Sequence, residues 1–223
     1  MGLIARPATP GLWFDCSSRL SALTAASMKA RGYVGVFRYL PLPPPNSPIP
    51  DINAVEVAAI TQAGLELSLV QHVRLPGWDP ARQSGTVDGG IAAHYATTAG
   101  VALRKHLLLD IEGVKLGATA AQLKIFIEAW AAEVIAHGYK AGVYVGYQIP
   151  MSPLDLYDLH GINCYWSDFG HRVVATRGCA IIQKNPDILV GGIKIDEDSV
   201  APDLLGGLPW VTALDLPAAT PNA

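Results

Sequence analysis

The sequence predicts a single irregular (β/α)8 barrel of the TIM type. Three observations predict this α/β fold. The chain has 223 residues, half of them hydrophobic, which suits one large domain. Eight short apolar or β-branched runs alternate mostly with helical stretches, a pattern typical of parallel βαβ units that close into a barrel. These runs also tend to end in polar or aromatic residues, and barrel active sites lie at the C-terminal ends of the strands.

Hydrophobic periodicity and the breaking residues between runs set the predicted elements. Strands are expected at residues 12–15, 34–39, 67–72, 106–112, 141–145, 162–166, 179–183 and 192–196. Helices are expected from a Ser17 or Ser18 cap to Arg31, from an Asp51 or Asn53 cap to Gln62, and over residues 88–98, 120–137 and 154–159. Residues 41–50 and 74–88 read as loops, and the short segment 184–191 makes the barrel irregular near its end.

One domain accounts for the chain. Residues 11–205 form the predicted barrel, residues 1–10 an N-terminal extension and residues 206–223 a C-terminal tail whose last ten residues we expect to be loose. The stretch at residues 1–7 lacks the apolar core of a signal peptide. The sequence therefore predicts synthesis in the cytoplasm without a signal peptide, so that action outside the cell would need another route.

Composition excludes several function classes. The net charge of -3 without clustered Lys and Arg argues against nucleic-acid binding, and no run reaches the ~18 apolar residues of a membrane span. Cys16, Cys164 and Cys179 show no disulfide or zinc spacing, and we expect them to be reduced. Cys16 adjoins Asp15, which leaves a nucleophile role open, but no histidine partner is evident. Phosphate-binding and serine-hydrolase motifs are absent, so we expect no cofactor and no metal.

The sharpest chemical signal is a pair of carboxyl groups after a run of three leucines. Side chains alternate along a strand, so Asp110 and Glu112 point the same way while Ile111 points the other, with the pair about 7 Å apart along the strand. Burial and mutual repulsion would raise one pKa and leave the other group ionised. Glycosidic cleavage needs one acid and one carboxylate of this kind. The alternative is a pair of solvated or helix-capping acids, which the following Gly113 favours.

Other strand ends add to the predicted mouth. Asp15 and Asp196 are candidate supporting carboxylates, although Asp15 also suits a helix cap and Asp196 also suits a solvated turn with Glu197 and Asp198. Hydroxyls of sugars need hydrogen bonds and their C–H faces pack on aromatic rings. The candidate sugar-binding residues are Tyr39, Gln71, His72, Tyr144, Trp166 and Gln183.

The order of these motifs resembles the family 25 glycoside hydrolases, which are lysozyme-type muramidases. It is more similar still to the glycoside hydrolase-like domain of unknown function 1906, whose Phe-Asp opening and following helix match Phe14-Asp15 and residues 25–30. The likeness covers about residues 11–200, apart from the loops at residues 41–50 and 74–88. The shared motifs are Phe14-Asp15, Asp110-Ile111-Glu112, Gly142-Val143-Tyr144, Tyr165-Trp166, Gln183 and Ile195-Asp196.

The resemblance implies an activity. Glu112 would be the general acid, and Asp110 its partner, either holding an N-acetyl group for neighbouring-group attack or stabilising an oxocarbenium-like transition state. The implied substrate is peptidoglycan, cut between N-acetylmuramic acid and N-acetylglucosamine in the bacterial cell wall by an endolysin or an injected effector. The open alternatives are a wall-binding module without activity and a metal-dependent lyase that uses Asp110 and Glu112 as ligands. The sequence leaves the oligomeric state open.

Overall fold

The computed structural model describes residues 2–42, 51–72, 74–169 and 174–215. In this part of the chain the strands are β1 (Leu3–Pro7), β2 (Gly11–Asp15), β3 (Gly35–Leu40), β4 (Glu66–Gln71), β5 (His106–Asp110), β6 (Lys140–Val145), β7 (Ile162–Ser167), β8 (Ile181–Val190), β9 (Ile193–Val200) and β10 (Trp210–Leu214). The helices are α1 (Ala22–Ala30), α2 (Ala54–Gln62), α3 (Arg82–Thr98), α4 (Ala120–Ala136) and α5 (Pro153–Tyr157).

Strands β2 to β9 close into an eight-stranded barrel with helices between them, which confirms the predicted fold class. Strands β2 to β8 run parallel to their neighbours around the wall, and β4 pairs with β5. The barrel closes through β9, which is antiparallel to both β2 and β8.

The parallel direction predicted for the eighth strand is therefore wrong. Gly191 and Gly192 both have positive φ and turn the chain straight back from β8 into β9. A hairpin of this kind needs no crossover, so residues 184–190 continue strand β8 and Gly191 belongs to the turn.

Strands β1 and β10, at the two ends of the chain, were not predicted. They pair antiparallel from Leu3 with Leu214 to Pro7 with Trp210, and β10 joins β4 at Thr212 and Leu67. The N-terminal segment also surrounds Glu66 at the start of β4. Arg6 donates to Glu66 Oε1 at 2.6 Å, and the Thr9 backbone N–H donates to Oε2 at 2.9 Å. The predicted extension and tail are thus bound to the barrel; residues 216–223 of the tail lie outside the described residues.

The helices follow the prediction with shifted starts. Helix α1 begins later than expected, because Ser21 rather than Ser17 or Ser18 accepts the capping hydrogen bond. Asn53 caps α2, and Thr119 with Gln122 forms a capping box on α4. Most of the proline-rich loop predicted at residues 41–50 lies outside the described residues.

Helix α3 begins at Arg82, six residues earlier than predicted, because its glycines were interpreted as loop. A Cβ atom at Gly89 would lie 2.6 Å from the Trp130 carbonyl oxygen of α4, and one at Gly85 would collide with the Phe126 carbonyl. These glycines therefore let two helix backbones approach closely instead of breaking the helix.

Two hydrophobic layers position the mouth of the barrel. An outer layer packs the helices on the outside of the strands. An inner layer fills the lumen with the side chains of Trp13, Phe37, Val70, Leu108 and Trp166. Because successive side chains alternate across a strand, Asp15, Tyr39 and Asp110, which lie two positions beyond Trp13, Phe37 and Leu108, project into the space above the filled lumen. The three cysteines are free, as predicted.

Candidate functional site

A cavity of about 270 Å³ opens at the C-terminal ends of the barrel strands. Both members of the predicted carboxyl pair, Asp110 and Glu112, contribute to its wall. The described lining residues are Tyr39, Val70, Asp110, Glu112, Tyr144, Trp166, Phe169, Gln183, Pro186, Asp187 and Asp196.

The segment that carries the pair is fixed by its backbone. The Glu112 N–H donates to Asp110 Oδ1 at 3.1 Å, and the Trp78 indole donates to the Glu112 carbonyl at 2.9 Å. Gly113 has a φ of 69° and donates its N–H to the Tyr147 carbonyl at 3.1 Å. Gly113 thus turns the chain sharply away after Glu112, leaving both carboxyl groups at the cavity rather than at a helix cap.

Burial makes both carboxyl groups hold protons more tightly than usual. The pKa of Glu112 is raised to about 7, mainly by burial and then by the nearby Asp168, against a hydrogen bond from the Tyr147 backbone. The pKa of Asp110 lies well above its ordinary value through burial, then repulsion from Glu112 and Asp15. Because both pKa values are raised, the pair can keep a proton at neutral pH.

A second pair of carboxyl groups faces the first across the mouth. Asp15 and Asp196 are register partners on β2 and β9. The Gln183 amide donates to Asp15 Oδ2 at 3.3 Å and to Asp196 Oδ2 at 2.8 Å, while Tyr39 donates to Asp15 Oδ1 at 3.0 Å. Burial, then repulsion from Asp196, raises the pKa of Asp15 to about 7. Asp15 lines a smaller adjoining cavity of about 140 Å³ that also includes Asp196 and Tyr39.

The sequence predicted that Asp196 would end its strand, and this prediction is wrong. It lies within β9, and its Oδ1 accepts from the Asp187 N–H at 2.6 Å. It still reaches the mouth, because β9 runs antiparallel and brings its first half beside the end of β2.

Aromatic side chains form one wall of the cavity. The rings of Tyr144 and Trp166 meet edge to face with centroids 4.8 Å apart, and Phe37 stacks under Trp166 at 4.5 Å. The Tyr144 hydroxyl donates to Gln183 Oε1 at 3.2 Å. The fixed rings offer apolar faces and edges beside the carboxyl groups.

Two predicted sugar-binding residues do not line the cavity. Gln71 is fully buried on the outer side of β4, where it accepts from the Trp130 indole at 2.7 Å and donates to the Asp88 carbonyl at 2.9 Å. Its neighbour Val70 faces the lumen, and alternation turns Gln71 toward the helices. His72 stacks on Tyr39 with centroids 4.6 Å apart, and its Nε2 lies 3.0 Å from Asp51 Oδ1. His72 therefore supports Tyr39 from outside the cavity lining.

The structure adds residues that the sequence analysis did not propose. Asp198 is fully buried two positions after Asp196 and accepts from the Trp166 indole at 2.9 Å. Burial, then repulsion from Asp15, raises its pKa well above the usual range. The two-residue spacing from Asp196 was the available signal, but Asp198 was considered only as part of a possible solvated turn after Asp196.

Gly146 and the β8–β9 hairpin also shape the cavity. A Cβ atom at Gly146 would lie 2.6 Å from Glu112 Cβ and would collide with its Oε2. Pro186 and Asp187 of the hairpin reach the cavity wall, although no local pattern set them apart from a loop.

The electrostatic character of the cavity is uniform. Its described lining has four carboxyl groups, those of Asp110, Glu112, Asp187 and Asp196, and no lysine, arginine or histidine. Within the described ranges, no group of three or more His, Cys, Asp or Glu side chains is arranged to hold a metal ion.

Comparisons with known proteins agree with this architecture. The family model described as "Rv2525c-like, glycoside hydrolase-like domain" matches residues 26–168. The Tat-secreted protein Rv2525c of Mycobacterium tuberculosis, solved with L-tartrate, superposes with a TM-score of 0.67 at 16% identity, over 86% of this chain and 96% of that one. No curated protein matches the chain.

Two further structures have the same fold. A muramidase from Trichobolus zukalii has a TM-score of 0.59 at 16% identity, over 85% of this chain and 93% of that one. The catalytic domain of endolysin ply40, from bacteriophage P40 of Listeria monocytogenes, has a TM-score of 0.58 at 14% identity, over 86% and 94%. At these identities the likeness is one of fold.

The predicted localisation is corrected by these comparisons. Rv2525c is a Tat-secreted protein, which points to export and overturns the expectation of a chain without a signal peptide. In the part of the chain that the structure describes, no helix combines the length and apolar character needed to cross a bilayer.

Proposed function

We propose, because the chain belongs to the Rv2525c-like glycoside hydrolase-like domain family, that it is a glycosidase whose reaction centre is the Asp110 and Glu112 pair. One observation carries the proposal. The two carboxyl groups share a partly enclosed cavity with an aromatic wall, and burial brings the pKa of Glu112 to about 7. A carboxyl group with such a pKa is an effective proton donor at neutral pH.

Glu112 acts as the general acid in this scheme. Its proton passes to the glycosidic oxygen, and the C1–O bond breaks with its electron pair going to the leaving sugar. Water then adds its hydroxyl to C1 and returns its other proton to Glu112. The position of Glu112 in the cavity wall, beside Gly146, suits this role because a sugar that enters the cavity would lie within reach of its carboxyl group.

Asp110 is the partner carboxyl. In its ionised form it stabilises the positive charge that develops on the sugar, or orients an N-acetyl group for attack at C1. Positive charge that develops next to Asp110 favours its ionised form and opposes the rise in pKa that burial causes.

The second carboxyl pair and the aromatic wall hold the sugar. Gln183 connects Asp15 with Asp196 and also accepts from Tyr144, so one amide aligns both sides of the mouth. Tyr39, Tyr144 and Trp166 present the faces and edges on which a sugar ring packs.

The proposed substrate is peptidoglycan, cut at the β-1,4 bond after N-acetylmuramic acid at the bacterial cell wall. The fold shared with a muramidase and with an endolysin catalytic domain supports this choice. The four carboxyl groups lining the cavity also restrict the substrate. They disfavour binding of a sugar that carries a free negative charge inside the cavity.

Digestion of purified peptidoglycan tests the proposal. Wild-type protein should release muropeptides with new reducing ends, identified by mass spectrometry, and Glu112→Gln should lower the rate by about 10²–10⁴-fold. Glu133→Gln, which removes a surface carboxyl group on α4, is the matched control and should keep full activity. Equal cleavage by Glu112→Gln and wild type would contradict the assignment.

A binding module of the same fold is the second candidate. The aromatic wall of Tyr144 and Trp166 favours it, because such rings can hold a sugar without any proton transfer. A binding module would retain peptidoglycan in a pull-down assay while producing no reducing ends.

A further inference from the structure

A second cavity, of about 490 Å³, lies at the opposite end of the barrel from the carboxyl groups. Its wall includes His106 and Lys140, the first residues of β5 and β6, together with Asn163 of β7 and Trp210 of β10. We propose that this cavity is a separate binding site for a small anion that carries a carboxylate or phosphate group.

The charge of the cavity is the reverse of that at the mouth. Its described lining contains Lys140 and Arg177 and no aspartate or glutamate. Lys140 places its ammonium 3.7 Å from the centroid of the Trp210 ring, a cation–π contact that holds the charge in one position.

Lys140 also lacks a compensating charge. Among the described residues no carboxyl group forms an ion pair with it, and burial lowers its pKa. A partly desolvated cation without a counter-ion gains stability when an anion binds next to it.

Asn163 supplies an oriented donor. His106 is buried, and its Nδ1 accepts a hydrogen bond from the backbone N–H of Trp210 at 2.7 Å. The ring proton therefore lies on Nε2, which donates to Asn163 Oδ1 at 2.7 Å. With its oxygen bound by His106, the Asn163 amide keeps its N–H groups available to a ligand in the cavity that it lines. Burial lowers the pKa of His106 to about 4, so this arrangement holds at neutral pH.

Arg177 is held at the rim by a buried carboxyl group. Its Nη1 donates to Asp203 Oδ2 at 2.7 Å, and Asp203 also accepts from the N–H groups of Leu205 and Gly207 at 2.9 and 2.7 Å. Asp203 thus fixes both the guanidinium and the turn that closes the cavity. It does not neutralise Lys140, so the net charge of the wall stays positive.

The chemistry of the wall defines the ligand. An ammonium, a guanidinium and an amide donor together suit the oxygens of a carboxylate or phosphate group. The cavity of about 490 Å³ also has room for a body of about the size of one sugar attached to that group. Sugar acids and sugar phosphates share this chemistry.

Isothermal titration calorimetry with the full chain tests the site independently of any hydrolysis. Inorganic phosphate, glucose 6-phosphate and glucuronate are titrated separately in a buffer without competing anions. Wild-type protein should bind at least one of them saturably at or below about 10 mM, and the best of the three identifies the anionic group and whether a sugar body adds affinity.

Two variants locate the binding. Lys140→Gln removes the cation and Asn163→Asp replaces the amide donor by a negative charge, and each should weaken binding by about tenfold or more. Lys29→Gln removes a lysine on α1 that lines neither cavity and should leave affinity unchanged. Circular dichroism confirms that each variant is folded. Absence of saturable binding by wild type, or equal affinities of Lys140→Gln and Lys29→Gln, overturns the proposal.

Discussion

Asp15 makes the stability of this protein depend on pH through a single buried side chain. Its pKa rises from 3.8 to about 7 on folding, mainly because of burial. The folded state therefore binds the proton more tightly than the unfolded chain. The stability that this proton contributes is complete below about pH 4 and is lost as the pH rises to about 7.

Asp15→Asn tests this linkage, since asparagine mimics the neutral acid. Between about pH 5 and about pH 8 the variant should gain roughly 2 kcal/mol in free energy of unfolding relative to wild type. Urea denaturation at the two pH values gives the comparison, with Asp79→Asn, an exposed aspartate paired with Lys115, as control. An Asp15→Asn effect that is equal at both pH values would contradict the buried, protonated state.

Gly146 controls the position of Glu112, the proposed general acid. A methyl group there would press on the Cβ and carboxyl group of Glu112. Gly146→Ala should thus lower kcat by about 10²-fold through misplacement of that carboxyl group, with little change in far-ultraviolet circular dichroism. Gly90→Ala is the matched control, because a Cβ at Gly90 makes ordinary contacts of 3.7 Å with Glu133. A fully active Gly146→Ala would show that Glu112 can move without cost.

At the scale of single elements, the polar and aromatic residues at predicted strand ends indicated most of the residues around the cavity. Asp15, Tyr39, Asp110, Tyr144 and Trp166 were placed by their positions at strand ends, and all of them reach the two adjoining cavities. Gln71 was misplaced because β4 is buried on both faces, so hydrophobicity gives no signal of which face looks inward.

The late elements of the barrel show a different limit of sequence reasoning. From the local sequence, Gly192 was predicted to begin a strand that ends at Asp196, and a solvated turn was one of two alternatives for the acidic residues there. Burial of Asp198 depends on β9 inserting between β2 and β8, which is a non-local property. The glycines of α3 were likewise misread, because their reason is the backbone of α4.

At the scale of the whole molecule, the two ends of the chain cover the base of the barrel. Ala8 and Val211 complete the lumen core, and Glu66, buried at the base, is bound by Arg6 and Thr9. These contacts hold the two chain ends at the base of the barrel, away from the carboxyl groups and beside the second cavity, which Pro7 and Trp210 line. Strand β1 was hard to predict because its hydrophobic and polar residues alternate only weakly. Its extended conformation depends on pairing with β10 at the other end of the chain.

Removal of residues 2–7 tests whether the N-terminal segment stabilises the fold without contributing to activity. The truncated chain loses β1 and the Arg6 partner of Glu66, so its free energy of unfolding should fall by about 2–4 kcal/mol. Thermal denaturation should show this as a lower Tm by roughly 4–16 °C for a chain of this size. Below that temperature kcat/KM on peptidoglycan should stay within about twofold of wild type, because residues 2–7 do not line the cavity that holds the carboxyl groups. A twofold change corresponds to less than about 0.5 kcal/mol in transition-state binding. A truncation that abolishes activity while the Tm is unchanged would instead place part of the catalytic apparatus at the N-terminus.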